Sequence, residues 1–135
     1  MISPSQPSPP SSAFMQAAGL VLDDVQSSQV TGWIDLGPEH HQPWGLIHGG
    51  VYTTAIESAA SVGASTAVQE HGLVAVGVNN NTNFLRSMTK GEVTVDARAI
   101  QQGRSQQLWE VRITDDRERL IATGQVRLQN ITPRA

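Results

Sequence analysis

One proline-free segment of small residues limits what this chain can fold into. From Val51 to about Gln69 the sequence consists mostly of Ala, Val, Ile, Ser and Thr, and Glu57 is its one charged residue. This composition predicts a long helix that is buried over most of its length. Small side chains would let the helix lie close to a sheet, at Ala59, Ala60, Gly63 and Ala67.

The segments around this helix alternate apolar and polar residues, as strands with one buried face do. Strands that precede and follow one helix predict an α+β fold, in which an antiparallel sheet wraps around one long central helix. In the last strand the inward face is expected to carry Leu120, Ala122, Gly124, Val126 and Leu128. The predicted strands are Gly19–Val25, Gln29–Leu36, Leu73–Leu85 (irregular near Asn80), Glu92–Gln101, Gln106–Thr114 and Leu120–Asn130.

Length and composition predict one domain. Residues 1–12 are rich in Pro and Ser and are expected to be a disordered tail, and residues 13–135 form the domain. The chain of 135 residues has no cysteine, so neither a disulfide nor a thiol nucleophile is available. No apolar run is long enough to cross a membrane. We therefore expect a cytoplasmic protein without a membrane partner.

The charges are divided unevenly along the chain, although the net charge is only −3. Residues 1–85 hold six acidic residues and no Lys or Arg, whereas the remainder holds six acidic residues and all nine Lys and Arg. This later part could bind phosphate groups. The alternative is that the arginines simply alternate outward on exposed strands. Nucleic-acid binding is not expected, since there is no basic cluster and few aromatic residues.

The glycines before the long helix point to a carbonyl-binding site. Gly49 and Gly50 supply the first helical amides, which have no partners within a helix and carry partial positive charge. Glu57 comes eight residues after Gly49, roughly 12 Å along a helix axis. One small carbonyl cannot touch both groups of one helix. Either the carboxylate has another role, or the Gly49 amide of one subunit faces Glu57 of a second.

The sequence His48-Gly49-Gly50 followed by Glu57 resembles the hotdog-fold acyl-CoA thioesterases. The resemblance covers about residues 18–130 and includes Asn83–Arg86 and Gly103–Ser105. It is nearest to the branch that contains 4-hydroxybenzoyl-CoA thioesterases of the Arthrobacter type and 1,4-dihydroxy-2-naphthoyl-CoA thioesterases. It implies a hotdog fold and hydrolysis of an acyl-CoA to acid and coenzyme A, without cofactor or metal. It does not identify the acyl group.

The resemblance also implies roles for five residues around the thioester. Glu57 would be the nucleophile or the general base, and the Gly49 amide would polarise the thioester carbonyl. Gln42 would help to hold the thioester or the water. Ser61, one helical turn after Glu57, would place the water or the carboxylate. His48 would organise the loop and the start of the helix.

Three further positions match residues near the nucleotide end of coenzyme A in the family, namely Arg86, Arg104 and Ser105. Solvated surface is an almost equally good interpretation of all three. Many relatives have a proline after the residue that matches Arg86, whereas this chain has Ser87. The different shape of the backbone at Ser87 would change how Arg86 contacts a phosphate.

The family resemblance further implies a homo-oligomer, at least a dimer and by analogy a tetramer. A hotdog hydratase or dehydratase is the first alternative, but it would normally need a His–Asp pair on the helix. A non-catalytic acyl-CoA-binding protein is the second, and the retained Glu57 argues against it. The cluster of Glu39, His40, His41 and His48 matches no known metal-ligand spacing.

Overall fold

The computed structural model describes residues 8–134 and shows two α-helices and six β-strands in that range. Residues 1–7 of the predicted tail lie outside the described residues. Ser12 caps the first helix by accepting a hydrogen bond from the Met15 N–H at 3.2 Å. The elements are α1 (Ala13–Ala18), β1 (Val21–Val25), β2 (Gln29–Leu36), α2 (Gly49–Val68), β3 (Val74–Phe84), β4 (Gly91–Gln102), β5 (Gln106–Thr114) and β6 (Leu120–Ile131).

All six strands form one antiparallel sheet in the order β1-β2-β4-β5-β6-β3. The long helix α2 packs on one face of this sheet and contacts every strand. Its buried side is made of small residues, among them Ala55, Ala59, Ala60 and Ala64, which are fully covered. The predicted hotdog fold, a sheet wrapped around one long helix, is confirmed.

Gly63 sets how closely α2 approaches the sheet. A Cβ atom at this position would lie 2.7 Å from the Trp109 Cζ3 atom and 2.9 Å from the Val30 Cγ2 atom. Both neighbours are completely buried, so neither can move aside easily. The Trp109 indole N–H donates to the Gln107 Oε1 atom at 2.9 Å, and the Gln107 amide donates to the Ala64 carbonyl at 2.9 Å.

The prediction for the inward face of β6 is wrong at its first residue. Leu120 is only half-buried, whereas Ile121 is completely buried. The cause is an irregularity in the β5–β6 pairing: Thr114 pairs with Leu120 but Ile113 pairs with Ala122, which leaves Ile121 as an extra residue. One extra residue shifts the alternation of side chains before that point. From Ala122 to Leu128 the predicted alternation is confirmed.

The sheet has two edges, β1 and β3, and β3 presents the longer one. Among the described residues β3 pairs only with β6, so one side of its backbone has no strand partner. Val78 and Phe84 of this strand are 51% and 56% exposed. Such an edge is prone to pair with a strand of another chain. No helix in the described part of the chain has the length and apolarity needed to span a membrane.

We predict that Gly63→Ala destabilises the protein although alanine is the better helix former. The gain in helix propensity is about 1 kcal/mol. Forcing a methyl group against two immobile side chains costs about 1–3 kcal/mol. Chemical denaturation should therefore show a lower free energy of unfolding. Ser58→Ala, at a half-exposed position of the same helix, is the control, and equal stability of both variants would contradict the close packing at Gly63.

Candidate active site

The start of α2 is built by a histidine cap. His48 precedes the first helical residue, and its Nδ1 atom accepts a hydrogen bond from the Gly50 N–H at 2.8 Å. The His48 N–H in turn donates to the His40 carbonyl at 2.8 Å. The N–H of Gly49, as the first residue of the helix, has no acceptor among the described residues. The helix therefore begins with one free amide donor.

Gly49, which carries this free amide, lines a cavity of about 460 Å³. Three of the predicted site residues lie around it, Gln42, Gly49 and Arg86. Arg86 is brought there by the Ile121 bulge, because the Ile121 carbonyl accepts from the N–H groups of both Leu85 and Arg86, at 2.8 and 3.2 Å. The remaining lining residues are Leu46, Ile47, Tyr52, Phe84, Leu85 and Ser87.

The Gln42 side chain is held in one orientation by its own loop. Its Oε1 atom accepts from the N–H of Trp44 at 2.6 Å and from that of Leu46 at 3.3 Å. Only the oxygen of a glutamine amide can accept, so the NH₂ group is directed away from these two donors. That NH₂ group donates to no acceptor among the described residues, which leaves it free to contact a ligand.

Glu57 lies on the same helix but outside that cavity. Its Oε2 atom accepts from the Ser61 hydroxyl at 3.3 Å, and its Oε1 atom accepts from the Asn80 side-chain amide at 3.1 Å. The carboxylate covers Gly77 of β3, where any Cβ atom would collide with it. The sequence places Glu57 in a helix that is predicted to be buried over most of its length, but in the single chain this side chain is only half-buried. It sits beside the open edge strand, which leaves it partly accessible.

Asn80 was not predicted as a site residue. Its one signal in the sequence is the run Asn79–Asn81 inside a strand, since asparagine is depleted in strands. The Asn80 amide also lies 3.4 Å from the Thr53 carbonyl, and its Oδ1 atom accepts from the Thr82 hydroxyl at 2.7 Å. The side chain therefore connects β3 with α2 beside Glu57.

Arg104 and Ser105 lie at the opposite end of the domain from Arg86. They occupy the turn between β4 and β5. Asn130 holds this turn, because its backbone N–H donates to the Ser105 carbonyl and its side-chain amide donates to the Arg104 carbonyl. Arg104 shares a cavity with Val68, the last residue of α2, whereas Arg86 shares one with the first residue of that helix. The two ends are roughly 28 Å apart along the helix axis. One chain does not bring these predicted nucleotide contacts together.

Comparison with known proteins identifies the family of this chain. The family model described as "Thioesterase superfamily" matches residues 45–122. The chain belongs to the thioesterase superfamily. It is accordingly a thioester hydrolase.

Three relatives show how far the likeness extends. Rv1847 of Mycobacterium tuberculosis, provisionally named an esterase, is 44% identical over 96% of this chain and 99% of its own, and its solved structure gives a TM-score of 0.86. A 1,4-dihydroxy-2-naphthoyl-CoA hydrolase of Listeria monocytogenes is 36% identical over 80% of this chain and 87% of its own. Thioesterase HI1161 of Haemophilus influenzae has 27% identity and a TM-score of 0.83, covering 90% and 85% of the two chains.

The thioesterase has one buried polar atom in this region that lacks a partner. The Tyr52 hydroxyl is the one buried side-chain polar atom with no hydrogen bond in the described range. Burial raises the pKa of Tyr52 to about 12, so the hydroxyl stays protonated near neutral pH. Its ring lies 6.4 Å from the Phe84 ring, centroid to centroid, at the wall of the cavity next to Gly49.

Three of the four histidines of this thioesterase, His40, His41 and His48, are engaged with backbone groups. His40 Nδ1 accepts from the Gly37 N–H at 3.1 Å, and His41 Nε2 lies 2.7 Å from the Thr89 carbonyl. The cap at His48 uses its Nδ1 atom in the same way. Within residues 8–134 no group of three or more His, Cys, Asp or Glu is placed to hold a metal ion.

Proposed function

We propose that this thioesterase hydrolyses acyl-CoA thioesters to the free acid and coenzyme A at a site shared by two copies of the chain. The observation that carries the proposal is the separation of two chemical groups on one helix. Gly49, whose amide is free, lines the cavity, and the Glu57 carboxylate lies outside it, roughly 12 Å further along α2. The amide can polarise a carbonyl, and the carboxylate can attack it or activate water.

The reaction needs both groups on the same thioester. Hydrogen bonding from the Gly49 amide would stabilise negative charge as it develops on the thioester oxygen. Glu57 would either take a proton from an attacking water or attack the carbonyl carbon itself and form an anhydride that water then cleaves. In both routes the C–S bond breaks, and the departing coenzyme A thiolate takes up a proton. The free NH₂ group of Gln42 would hold the thioester or the water.

The open edge of β3 supplies a way to combine the two groups. Antiparallel pairing of β3 with the same strand of a second copy would close the exposed edge. If this pairing is centred between Asn80 and Asn81, Phe84 of one copy lies opposite Gly77 of the other. Gly49 packs beside the Phe84 ring, and the Glu57 carboxylate lies over Gly77. The amide of each copy would then meet the carboxylate of its partner. By family analogy, two such dimers would form a tetramer.

The same pairing would reunite the separated nucleotide contacts. Arg86, just beyond Phe84, would approach the part of the partner that precedes Gly77, and Leu73 there shares a cavity with Arg104. Arg86 of one copy would therefore act together with Arg104 and Ser105 of the other on the phosphates of coenzyme A. Ser87, where many relatives have proline, leaves the adjoining backbone N–H in place.

For the acyl group we propose an aromatic ring system. The cavity beside Gly49 is lined by apolar and aromatic side chains, including Leu46, Tyr52, Phe84 and Leu85. The Listeria relative is named for an aromatic acyl group of this type. A comparison of thiol release from aryl-CoA and alkyl-CoA thioesters tests this assignment. Faster turnover of thioesters with medium or long alkyl chains would contradict it.

The first prediction is that Glu57→Gln abolishes most turnover. The amide keeps the shape of the side chain but can neither attack the carbonyl nor accept a proton, so kcat should fall by at least ~10²-fold. Thiol release from an acyl-CoA measures it. Glu70→Gln is the matched control, because Glu70 is exposed and lies in the turn that follows the same helix. A rate within a few-fold of wild type for folded Glu57→Gln would eliminate this role.

The second prediction is that two inactive variants restore activity when mixed. Gly49→Pro removes the amide proton at the first helical position, where proline is tolerated and the extended His48 before it is compatible. Mixed with Glu57→Gln by joint refolding, it should recover roughly a quarter of wild-type activity, because half of the dimers carry one intact site.

A matched variant separates the lost amide from the added side chain. Gly49→Ala keeps the N–H and places a similar Cβ atom near the Phe84 ring, where the contact would be 3.0 Å. It should retain much more activity than Gly49→Pro. If the mixture of the two inactive variants stays inactive while each folds and dimerises, the site is not shared between copies.

The third prediction concerns the phosphates. Arg86→Ala and Arg104→Ala should each raise KM for an acyl-CoA roughly 5- to 30-fold. Their kcat should hardly change, because a phosphate contact acts on the ground state and transition state alike. A pantetheine thioester, which lacks the nucleotide, should show no such effect. Arg112→Ala serves as the control, since Arg112 of β5 lies opposite Asp96 of β4. An unchanged KM in both test variants would mean that Arg86 and Arg104 are solvated surface.

A further inference from the structure

The Glu57 carboxylate is held from two sides. Ser61, on its own helix, donates to one oxygen, and Asn80, on the neighbouring strand, donates to the other. A glutamate side chain has several rotatable bonds and loses considerable freedom when it is held in one place. The two hydrogen bonds thus hold the carboxylate in one position.

The amide of Asn80 is itself oriented by its surroundings. Its NH₂ group faces two acceptors, the Glu57 carboxylate at 3.1 Å and the Thr53 carbonyl at 3.4 Å. The Thr82 hydroxyl donates to the opposite end of the amide, the Oδ1 atom, at 2.7 Å. If the amide were turned around, its oxygen would face two other acceptors. The carboxylate and the carbonyl therefore decide which way the amide faces, and the Thr82 hydroxyl holds the amide in that place.

An irregularity in β3 brings these residues to the helix. The pairing of β3 with β6 shifts between Gly77 and Asn79, which leaves Val78 as an extra residue. Gly77 lies under Glu57, and after the extra residue Asn80 and Thr82 contact the same region. In a regular strand Gly77 and Asn80 would point to opposite faces. The bulge redirects the amide toward α2 at the point where Glu57 lies.

We propose that Asn80, held in place by Thr82, is a positioning residue for the Glu57 carboxylate. This inference rests on the proposed function and adds Asn80, a residue of β3, to the proposed site. Asn80 contacts the Glu57 carboxylate but none of the residues predicted to contact the substrate. It would therefore act by placing the carboxylate for its attack on the thioester or the water. A displacement of about 1 Å from the reactive arrangement can cost on the order of 10²-fold in rate. Substrate binding by the Gly49 cavity does not depend on it.

Variants of Asn80 and Thr82 test this proposal. Asn80→Ala should lower kcat roughly 10- to 100-fold while KM for an acyl-CoA changes less than about threefold. Thr82→Val, which keeps the shape and removes the hydroxyl, should lower kcat by a smaller factor. Thr82→Ser retains the hydroxyl and should restore a rate close to wild type. The double variant Asn80→Ala with Thr82→Val should be no slower than Asn80→Ala alone, because Thr82 acts through Asn80.

Crystal structures of the wild type and Asn80→Ala provide a readout independent of activity. The expected result is that the Glu57 side chain leaves its place over Gly77 in the variant. A wild type without thioesterase activity, combined with a displaced Glu57, would refute the proposed function and keep the structural role of Asn80. An unchanged kcat in Asn80→Ala, additive losses of kcat in the double variant, or an unmoved Glu57 side chain would each overturn the proposal.

Discussion

The contact between Gly63 and the Trp109 ring is the interaction on which the rest of this structure depends. It lets α2 lie so near the sheet that alanines suffice to fill the space between them. Packing at this density tolerates no added methyl group without strain. The indole N–H would be an unpaired buried donor were it not for Gln107, which also bonds to the helix backbone. The contact and the hydrogen bond therefore hold the helix, and the groups that it carries, in place on the sheet.

A fixed helix also separates the groups that the chemistry needs. The free amide of Gly49 and the carboxylate of Glu57 keep their spacing because an α-helix does not shorten. The proposed shared site resolves this by using the free edge of β3, which lies beside both of them. The half-exposed state of Glu57 in one chain is consistent with a carboxylate that completes its surroundings in a dimer. Stability, assembly and catalysis would then depend on the same strand.

The order of the elements was predictable because periodicity is a local property. Strands β2 and β5 begin and end where the alternation of side chains predicts, and α2 begins two residues earlier and ends one residue earlier than predicted. The errors fall where an extra residue interrupts a strand, since a bulge depends on pairing with another strand. Ile121 is buried in place of Leu120 for this reason. The contact of Asn80 with Glu57 was not predicted, because a second bulge, at Val78, turns Asn80 toward the helix.

The sequence by itself determined one antiparallel sheet around one helix, the free amide at the helix start and the carboxylate two turns further on. These features follow from composition and spacing within short segments, and the family resemblance added a chemistry for them. Only the tertiary structure decided that Gln42, Gly49 and Arg86 share one cavity and that Arg104 lies at the other end. It also decided that Asn80 and Ser61 hold Glu57. Such contacts join residues far apart in the chain, and only packing of the helix on the sheet brings them within reach.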